Sequence, residues 1–205
     1  MGPMLIGVPS QIGYTALAGL VLGESAGLPI PGETALITAA GLAAAGTLHL
    51  PIVILVTIAA AIVGDTLGYL VGRRGGRRVL LRDGIGATHR RHAVARADRF
   101  FARNGVAAVF LGRFVPGVRI VAAVMAGTTR MPWPRFAVAN AAGAACWATT
   151  IALLAHALGP IGSGLLAVAG LTLGGLTFAV TWWRMRRRSA TLPAACAAPS
   201  PSARA

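Results

Sequence analysis

The sequence predicts an all-α membrane protein with about four transmembrane helices and two oppositely facing re-entrant helical hairpins in an inverted repeat. Hydrophobic residues make up 56% of the 205-residue chain and charged residues only 12%, which is too little polar surface for a soluble domain of this size. Several apolar stretches have the ~20 residues that a helix needs to cross a bilayer. Two other apolar stretches contain charges and a Pro-Gly pair, which favours a chain that turns inside the membrane.

The apolar stretches of spanning length are the first elements. Residues 50–72 are apolar except for Asp65, and residues 133–158 and 160–183 have the same character. Residues 3–22 form a weaker fourth candidate, because a proline and two polar residues interrupt them. These four stretches are the predicted transmembrane helices.

Two further apolar segments, residues 24–47 and 105–129, are typical of hairpins rather than of simple crossings. In each segment the proline removes a backbone N–H and the glycine adds flexibility, so a helix breaks there. Each segment is too short to cross the bilayer twice, which predicts that it enters and leaves on the same side. The predicted turn residues are Pro31, Gly32, Pro116 and Gly117.

The sequences of the two hairpins also indicate an internal repeat. PGETALITAAG in the first aligns with PGVRIVAAVMAG in the second, and both are followed by a span that carries a polar residue, Asp65 or Asn140. The spans between them make the two hairpins open on opposite faces. An inverted repeat with a binding site between two broken segments is the architecture of many secondary transporters.

The distribution of arginines predicts the orientation. The net charge is +14, every basic residue is arginine, and none precedes Arg73. Residues 73–103 hold ten arginines and residues 184–188 hold four more, so the positive-inside rule places both segments in the cytoplasm. Because the arginines cluster beside apolar spans, we expect no nucleic-acid partner.

The domain organisation follows from these segments. Residues 1–188 are predicted to form one transmembrane domain, and the small, Pro-rich residues 189–205 a disordered tail. Within the basic segment, residues 88–103 have helical apolar spacing. They are either an amphipathic helix on the inner membrane surface or a solvated topology signal.

Four charges lie beside the two Pro-Gly turns: Glu24 and Glu33 in the first hairpin, Arg113 and Arg119 in the second. An isolated charge at mid-membrane costs at least ~2.5–3.5 kcal/mol, so these four must pair, meet water or bind a charged ligand. Asp65, as an intramembrane acid, joins them as a candidate functional residue.

Two interpretations of these charges are open. In one, the ion pairs Glu33–Arg119 and Glu24–Arg113 merely lock the hairpins together. In the other, the hairpins enclose a polar cavity in which the arginines hold a phosphate group bidentately. The acids there exchange protons, because burial favours the protonated form of a carboxyl group.

Three motifs of this chain resemble the DedA family of membrane proteins, also called the VTT or SNARE-associated type. They are Glu-x8-Glu around Pro-Gly, then Gly-Asp-x3-Tyr-x2-Gly-Arg, and Gly-Arg-Phe-x-Pro-x2-Arg. The resemblance covers roughly residues 14–160. One departure is the stretch IVAAVMAG after the second arginine, which lacks a proline that many members have.

The resemblance implies a bacterial multi-pass protein of the inner membrane with two facing re-entrant hairpins. It also implies translocation of a phospholipid or of the polyprenyl-phosphate carrier lipid, and a link to the proton-motive force. The family's functional acids correspond to Glu24 and Glu33, and its two functional arginines correspond to Arg113 and Arg119.

The leading functional hypothesis is therefore a lipid transporter. Arg113 and Arg119 hold the lipid phosphate, while Glu24, Glu33 and Asp65 gate it or couple it to protons. The alternative is a proton-coupled transporter of a small solute or cation that supports membrane homeostasis. We expect membrane lipids and protons as partners, and no enzymatic activity, cofactor or metal site.

Overall fold

The computed structural model describes residues 10–76, 87–115, 118–172 and 175, and every regular element among them is helical. The helices are α1 (Ser10–Ser25), α2 (Gly32–Ala44), α3 (Leu50–Val71), α4 (Ala87–Gly112), α5 (Val118–Thr128), α6 (Trp133–Ala157) and α7 (Gly159–Thr172). A π-helical turn, Gly72–Gly76, continues α3. The prediction of an all-α protein is confirmed for the described residues.

Some predicted features lie outside the described residues: Pro116, Gly117, the basic segment 184–188, the tail 189–205 and residues 77–86 of the basic segment 73–103. Contacts divide the chain into two units. The first, residues 1–168, contains all the features described below. Of the second, residues 169–205, the structure describes residues 169–172 and 175, which are helical.

Two helices are long and apolar enough to cross a membrane by length and composition, Leu50–Gly76 and Trp133–Ala157. They coincide with the predicted spans 50–72 and 133–158. Each begins with a proline in its first turn, where the missing N–H has no intrahelical partner to lose. Both predictions of a helix of spanning length are confirmed.

The structure describes only part of the other two predicted spans. Of residues 3–22, residues 10–22 belong to α1, which continues to Ser25, into the segment expected to be a hairpin, and residues 3–9 lie outside the described chain. For residues 160–183, the structure describes α7, an apolar helix that ends at Thr172, and the residues beyond 175 lie outside the described chain.

The first helix pair therefore begins earlier than the predicted hairpin 24–47. Nothing between residues 10 and 25 breaks the helix, and Gly27, at φ +104°, ends it. The N–H of Leu28 bonds to the carbonyl of Gly23 at 3.0 Å and the N–H of Gly27 to that of Glu24 at 3.1 Å, which is a Schellman cap. Glu24 thus lies in the last turn of α1, not at the start of a hairpin.

The second helix pair, α4 and α5, also has a longer first arm than expected. The basic residues 88–103 and the start of the predicted hairpin 105–129 belong to one continuous helix, α4. Gly105 does not interrupt it, and an added Cβ at Gly105 would lie 3.3 Å from Met131 Sδ. This glycine allows α4 to pack closely on Met131, in the loop before α6, and does not form a turn.

The two long helices, α3 and α6, pack against each other and hold both helix pairs. The first arms pack beside their own long helix, α1 on α3 and α4 on α6. The second arms pack on the other long helix, α2 on α6 and α5 on α3. Each pair is thereby tied to both long helices.

Glycines bring α5 into backbone contact with α3. A Cβ added at Gly72 would collide with the carbonyl oxygen of Val124, and one at Gly127 would collide with that of Tyr69. In lipid, no hydrophobic effect drives helices together, because the acyl chains are as apolar as the side chains. Small residues at the interface instead allow the close packing that holds the helices together. The position of α5 on α3 therefore depends on these two glycines.

The motif Gly-Asp-x3-Tyr-x2-Gly-Arg is accounted for mainly by packing. A Cβ added at Gly64 would lie 2.5 Å from Cβ of Ser25 in α1. The buried Tyr69 hydroxyl donates to the carbonyl of Met131 at 2.7 Å and accepts from Arg73 Nη1 at 2.5 Å. These contacts leave Asp65, the remaining residue of the motif, without a packing explanation.

Candidate functional site

Glu24 and Arg119 meet in the interior, although they are far apart in sequence. Glu24 lies in the last turn of α1, and Arg119 is the second residue of α5. Nη2 of Arg119 donates to Oε1 of Glu24 at 2.8 Å, and the exposed fractions of the two side chains are 6% and 20%. This ion pair joins the turn end of the first helix pair to that of the second.

Arg113 forms a second buried ion pair, with Asp65. Arg113 directly follows α4, and its Nη1 donates to Oδ2 of Asp65 on α3. The same nitrogen donates to Oδ1 of Asn140 on α6 at 2.6 Å. The Asn140 amide nitrogen donates to the carbonyl of Ile62 at 3.5 Å, which aims the amide oxygen at Arg113.

Trp147 joins the two ion pairs. Its ring centroid lies 5.4 Å from Cζ of Arg119 and 6.0 Å from Cζ of Arg113. At these distances the face of the indole attracts a guanidinium, more strongly where water is excluded. We call the connected side chains the central cluster: Glu24, Asp65, Arg113, Arg119, Asn140 and Trp147.

Glu33 borders the central cluster without joining either pair. It is half-buried in the first turn of α2, within electrostatic reach of Glu24 and Arg119. Among the described residues, no ion pair joins Glu33 to an arginine. A carboxylate in a first turn is favoured by the helix dipole, so Glu33 does not need a basic partner to be tolerated there.

The ion pairs of the first interpretation, Glu33–Arg119 and Glu24–Arg113, are therefore not the pairs that form. Because α1 extends to Ser25, Glu24 rather than Glu33 lies against the start of α5. Asp65, which the sequence showed only as an acid within a span, takes the place of Glu24 as the partner of Arg113.

Glu24 and Arg119 both occupy the unfavourable end of their helix. A carboxylate near a helix C-terminus and a cation near an N-terminus each oppose the helix dipole, at a typical cost of ~0.3–1 kcal/mol. Burying such a pair recovers little net stability, because both ions lose their hydration. Stability alone thus gives no reason for these residue types at these positions, which favours a functional role.

The central cluster has unused hydrogen-bonding groups. Nη1 of Arg113 has two protein acceptors, whereas its Nε and Nη2 are buried and have none among the described residues. Oδ1 of Asp65, Oε2 of Glu24 and the hydroxyl of Ser25, which is next to Glu24, are also buried and have no hydrogen-bond partner among the described residues. Buried polar atoms are nearly always paired, so this concentration marks a place for a polar ligand or water.

The first predicted turn places its residues against the cluster. Pro31 immediately precedes α2, and Gly32 is the first residue of that helix. A Cβ added at Gly32 would collide with Oε2 of Glu24 and would lie 2.9 Å from the carbonyl oxygen of Leu20. Gly32 thus allows the carboxylate of Glu24 to lie against the start of α2.

Two members of the cluster received no role from the sequence. Asn140 was noted only as the polar residue of the second repeat, and Trp147 was not singled out. Trp147 follows Asn140 by seven residues, two helical turns, so both lie on one face of α6. The seven-residue spacing is the sequence pattern that could have grouped Trp147 with Asn140.

We expect Asn140→Ala to destabilise the protein by ~1.5–3 kcal/mol, the usual effect of losing a hydrogen bond to a charged group. The loss of its oxygen leaves one N–H of Arg113 Nη1 without an acceptor. The measurement is the thermal midpoint of the detergent-solubilised protein, with Thr150→Ala, an exposed site on the same helix, as the control. Equal midpoints for the two variants would contradict a bound role for Asn140.

Comparison with known proteins identifies relatives over most of the chain. The family model of the VTT domain matches residues 30–157. An uncharacterized membrane protein of Synechocystis sp. strain PCC 6803 is 42% identical over 151 residues, which cover 74% of this chain and 69% of the relative. A protein of Lactococcus lactis named alkaline phosphatase-like protein is 32% identical over 168 residues, or 78% and 77% of the two chains.

The Protein DedA of Escherichia coli K12 is 31% identical over 134 residues, which cover 64% of this chain and 61% of the relative. No solved structure matches the chain. The match to the VTT domain contains Glu33, Asp65 and both cluster arginines, whereas Glu24 lies just before it. The chain belongs to the DedA family of VTT-domain membrane proteins.

Proposed function

We propose that the protein transports a lipid between the two leaflets, a phospholipid or a polyprenyl-phosphate carrier lipid, and that the central cluster binds the phosphate of its headgroup. The observation that carries the proposal is the unpaired edge of Arg113. Three N–H groups, on Nε and Nη2, have no acceptor among the residues that the structure describes. A phosphate group suits a guanidinium edge well, because two of its oxygens can accept two parallel N–H hydrogen bonds.

The neighbours of Arg113 support a site that releases its ligand. Its third nitrogen is held by Asp65 and Asn140, so the guanidinium is oriented before any ligand arrives. Arg119 also lies against the ring of Trp147 and is paired with Glu24. A phosphate that binds both arginines competes with these carboxylates, which limits the affinity and lets the headgroup move on.

The helix packing supports re-entrant hairpins in an inverted repeat. The contacts follow one pattern twice, with α1, α2 and α3 corresponding to α4, α5 and α6. Both second arms also end in the same cap, in which a residue at positive φ, Gly46 or Arg130, closes α2 or α5. In the proposed arrangement the turn ends lie at membrane depth, and the acyl chains stay in lipid while the headgroup passes between them.

We also propose that protons take part through Glu24, Glu33 and Asp65. Protonation of Glu24 or Asp65 would remove the charge that holds an arginine, and would free that arginine for phosphate. In this proposal the half-buried Glu33, which has no arginine partner among the described residues, passes the proton between solvent and Glu24. Net lipid movement would then depend on a pH gradient.

A second candidate function is favoured by the charge of the site. Glu24, Glu33 and Asp65 place three carboxylates against the two guanidiniums of Arg113 and Arg119, so one acid exceeds the bases. An excess of acid suits a proton-coupled transporter of a cation or small solute. Such a transporter would use the same cluster, and the substrate would cross between the aqueous compartments.

We propose transport without chemical change of the substrate, despite the phosphatase-like name of the Lactococcus relative. Phosphate-ester hydrolysis needs a nucleophile with a neighbouring base. The described cluster consists of carboxylates, guanidiniums, an amide and an indole. The carboxylates can exchange protons and the guanidiniums can hold a phosphate, which is what the proposed transporter requires.

The test is a leaflet-exchange assay in proteoliposomes, with fluorescent phosphatidylethanolamine and a fluorescent polyprenyl-phosphate analogue. We expect the wild-type protein to exchange at least one of them. Arg119→Ala should slow it about ten- to hundredfold, the effect of losing one hydrogen bond to a charged group. Glu33→Gln should also slow it, because glutamine cannot pass a proton. Arg96→Gln, an exposed arginine outside the cluster, is the control and should exchange at the wild-type rate.

The outcomes separate the candidate functions. Exchange that is slowed in both Arg119→Ala and Glu33→Gln and kept in Arg96→Gln supports lipid transport through the cluster. Absence of exchange of both lipids by folded protein, with and without a pH gradient, would refute it and favour the solute transporter. Release of inorganic phosphate from the lipid would refute transport without chemical change.

A further inference from the structure

A groove of about 800 Å³ lies outside the central cluster, between α4, the loop before α6 and the first turns of α6. Its lining runs from Asp98 to Leu111 on one side and from Thr129 to Ala142 on the other, and no side chain of the central cluster contributes to it. Its volume is in the range of small-molecule binding sites, ~300–1,000 Å³. The groove is therefore a separate candidate site.

The two ends of the groove differ in chemistry. Arg103, Arg130 and Arg135 line one end, together with Asp98, so three guanidiniums stand against one carboxylate. All three arginines are exposed, and among the described residues no ion pair engages them. This end attracts an anion.

The other end of the groove is apolar. It is lined by large hydrophobic side chains, of which Val106, Leu111 and Val138 are exposed. They follow the arginines along both helices, which run in the same direction, since Gly105 of α4 lies near Met131 before α6, and Phe110 of α4 lies near Gly143 of α6. Fixed positive charge and exposed apolar surface thus lie along one groove, in the order of a lipid headgroup and its chain.

We propose that this groove binds an anionic phospholipid of the leaflet that faces the basic segment, with its phosphate at the arginines and an acyl chain along Leu111 and Val138. The charge argues for a lipid rather than for a second copy of the chain, because the copy carries the same excess of arginine. The inference does not depend on the proposed transport. A lipid bound here can hold the second helix pair against α6 whether or not the central cluster moves a headgroup.

Native mass spectrometry of the full chain in a neutral detergent tests the proposal, because a single added lipid is counted there without a charged membrane surface. The probes are phosphatidylglycerol, phosphatidylcholine and glycerol 3-phosphate. We expect phosphatidylglycerol to bind about thirtyfold more tightly than phosphatidylcholine, if each of two arginines contributes about five- to sixfold. Glycerol 3-phosphate, which has the anion but no chain, should not bind at the same concentration.

The variant Arg103→Gln/Arg135→Gln should lower the affinity for phosphatidylglycerol about thirtyfold and leave phosphatidylcholine unchanged. Its matched control is Arg96→Gln/Arg99→Gln, which removes the same charge from exposed positions outside the groove. Arg99 Nε donates to the carbonyl of Ala95, so its side chain points back along α4. Salt at 0.1 M screens charges over ~10 Å, so charges outside the groove have little effect on a lipid inside it. The control should therefore lower the affinity for phosphatidylglycerol by less than about threefold.

Three results would overturn the inference. An equal loss of affinity for phosphatidylglycerol in the two double variants would mean that the lipid responds to the overall positive charge of the surface and not to this groove. Equal binding of phosphatidylglycerol and phosphatidylcholine would mean that the arginines are not part of a site. A lipid-free dimer that takes up no phosphatidylglycerol would mean that a second copy covers the groove. Leaflet exchange by the Arg103→Gln/Arg135→Gln variant, measured separately, distinguishes failure here from failure of the proposed transport.

Discussion

Arg113→Ala is expected to lower the free energy of unfolding by about 3–5 kcal/mol, the usual effect of leaving one charge of a buried pair without its partner. Asp65 is 3% exposed or less and has no other basic partner among the described residues, so its carboxylate cannot turn to water. Asn140 loses its donor in the same variant. Unfolding in mixed micelles with a denaturing detergent, followed by tryptophan fluorescence, measures the change.

The control for this prediction removes both charges. Asp65→Asn/Arg113→Gln leaves no buried ion, and we expect it to recover most of the stability lost in Arg113→Ala. Leaflet exchange should remain lost, because the neutral amide offers phosphate no positive charge. A double variant with wild-type exchange would show that Arg113 is structural, and a double variant as unstable as Arg113→Ala would show that charge is not the cause.

Gly127→Ala is expected to destabilise the protein by about 3 kcal/mol or more, at the upper end of the effects of overpacking. The new Cβ would collide with the carbonyl oxygen of Tyr69 and lie 2.8 Å from the backbone nitrogen of Arg73. Backbone atoms of α3 cannot yield as a side chain does, so α5 must move and carry Arg119 away from Glu24. The thermal midpoint should fall by roughly 6–12 °C.

Gly19→Ala is the matched control for Gly127→Ala. Gly19 lies within α1, and an added Cβ there meets nothing within 4 Å. Alanine in an open helical position should stabilise by roughly 0.5–1 kcal/mol, since glycine loses more chain entropy on folding. If Gly127→Ala keeps the wild-type midpoint, α5 does not depend on backbone contact with α3.

The long helices were predictable because their signal is local. A run of about 20 apolar residues has one outcome in a bilayer, and the stretches 50–72 and 133–158 contain no helix breaker beyond a proline in the first turn. The bounds of the helix pairs were less predictable. A Pro-Gly pair marks a turn, but Gly27 four residues earlier ends α1, and the basic character of residues 88–103 hides that they continue into α4.

Four of the charged residues of the site were predictable from the free-energy cost of placing a charge in a membrane, because such a charge needs a partner or a function. Their partners were not. Which acid meets which arginine depends on where α1 ends and on how α5 crosses α3, and neither follows from spacing along the chain. Trp147 shows the same limit, since an aromatic residue in an apolar helix is ordinary until two guanidiniums lie on its faces.

By itself, then, the sequence determined that the protein is an α-helical membrane protein of this family, where its long helices lie, and which acids and arginines need an explanation. These follow from composition and from patterns within about 20 residues. Only the tertiary structure decided that Glu24 pairs with Arg119 and Asp65 with Arg113, and that Asn140 and Trp147 of α6 contact these arginines. Those contacts join residues from different helices, and the close approach at Gly72 and Gly127 sets the distances between them.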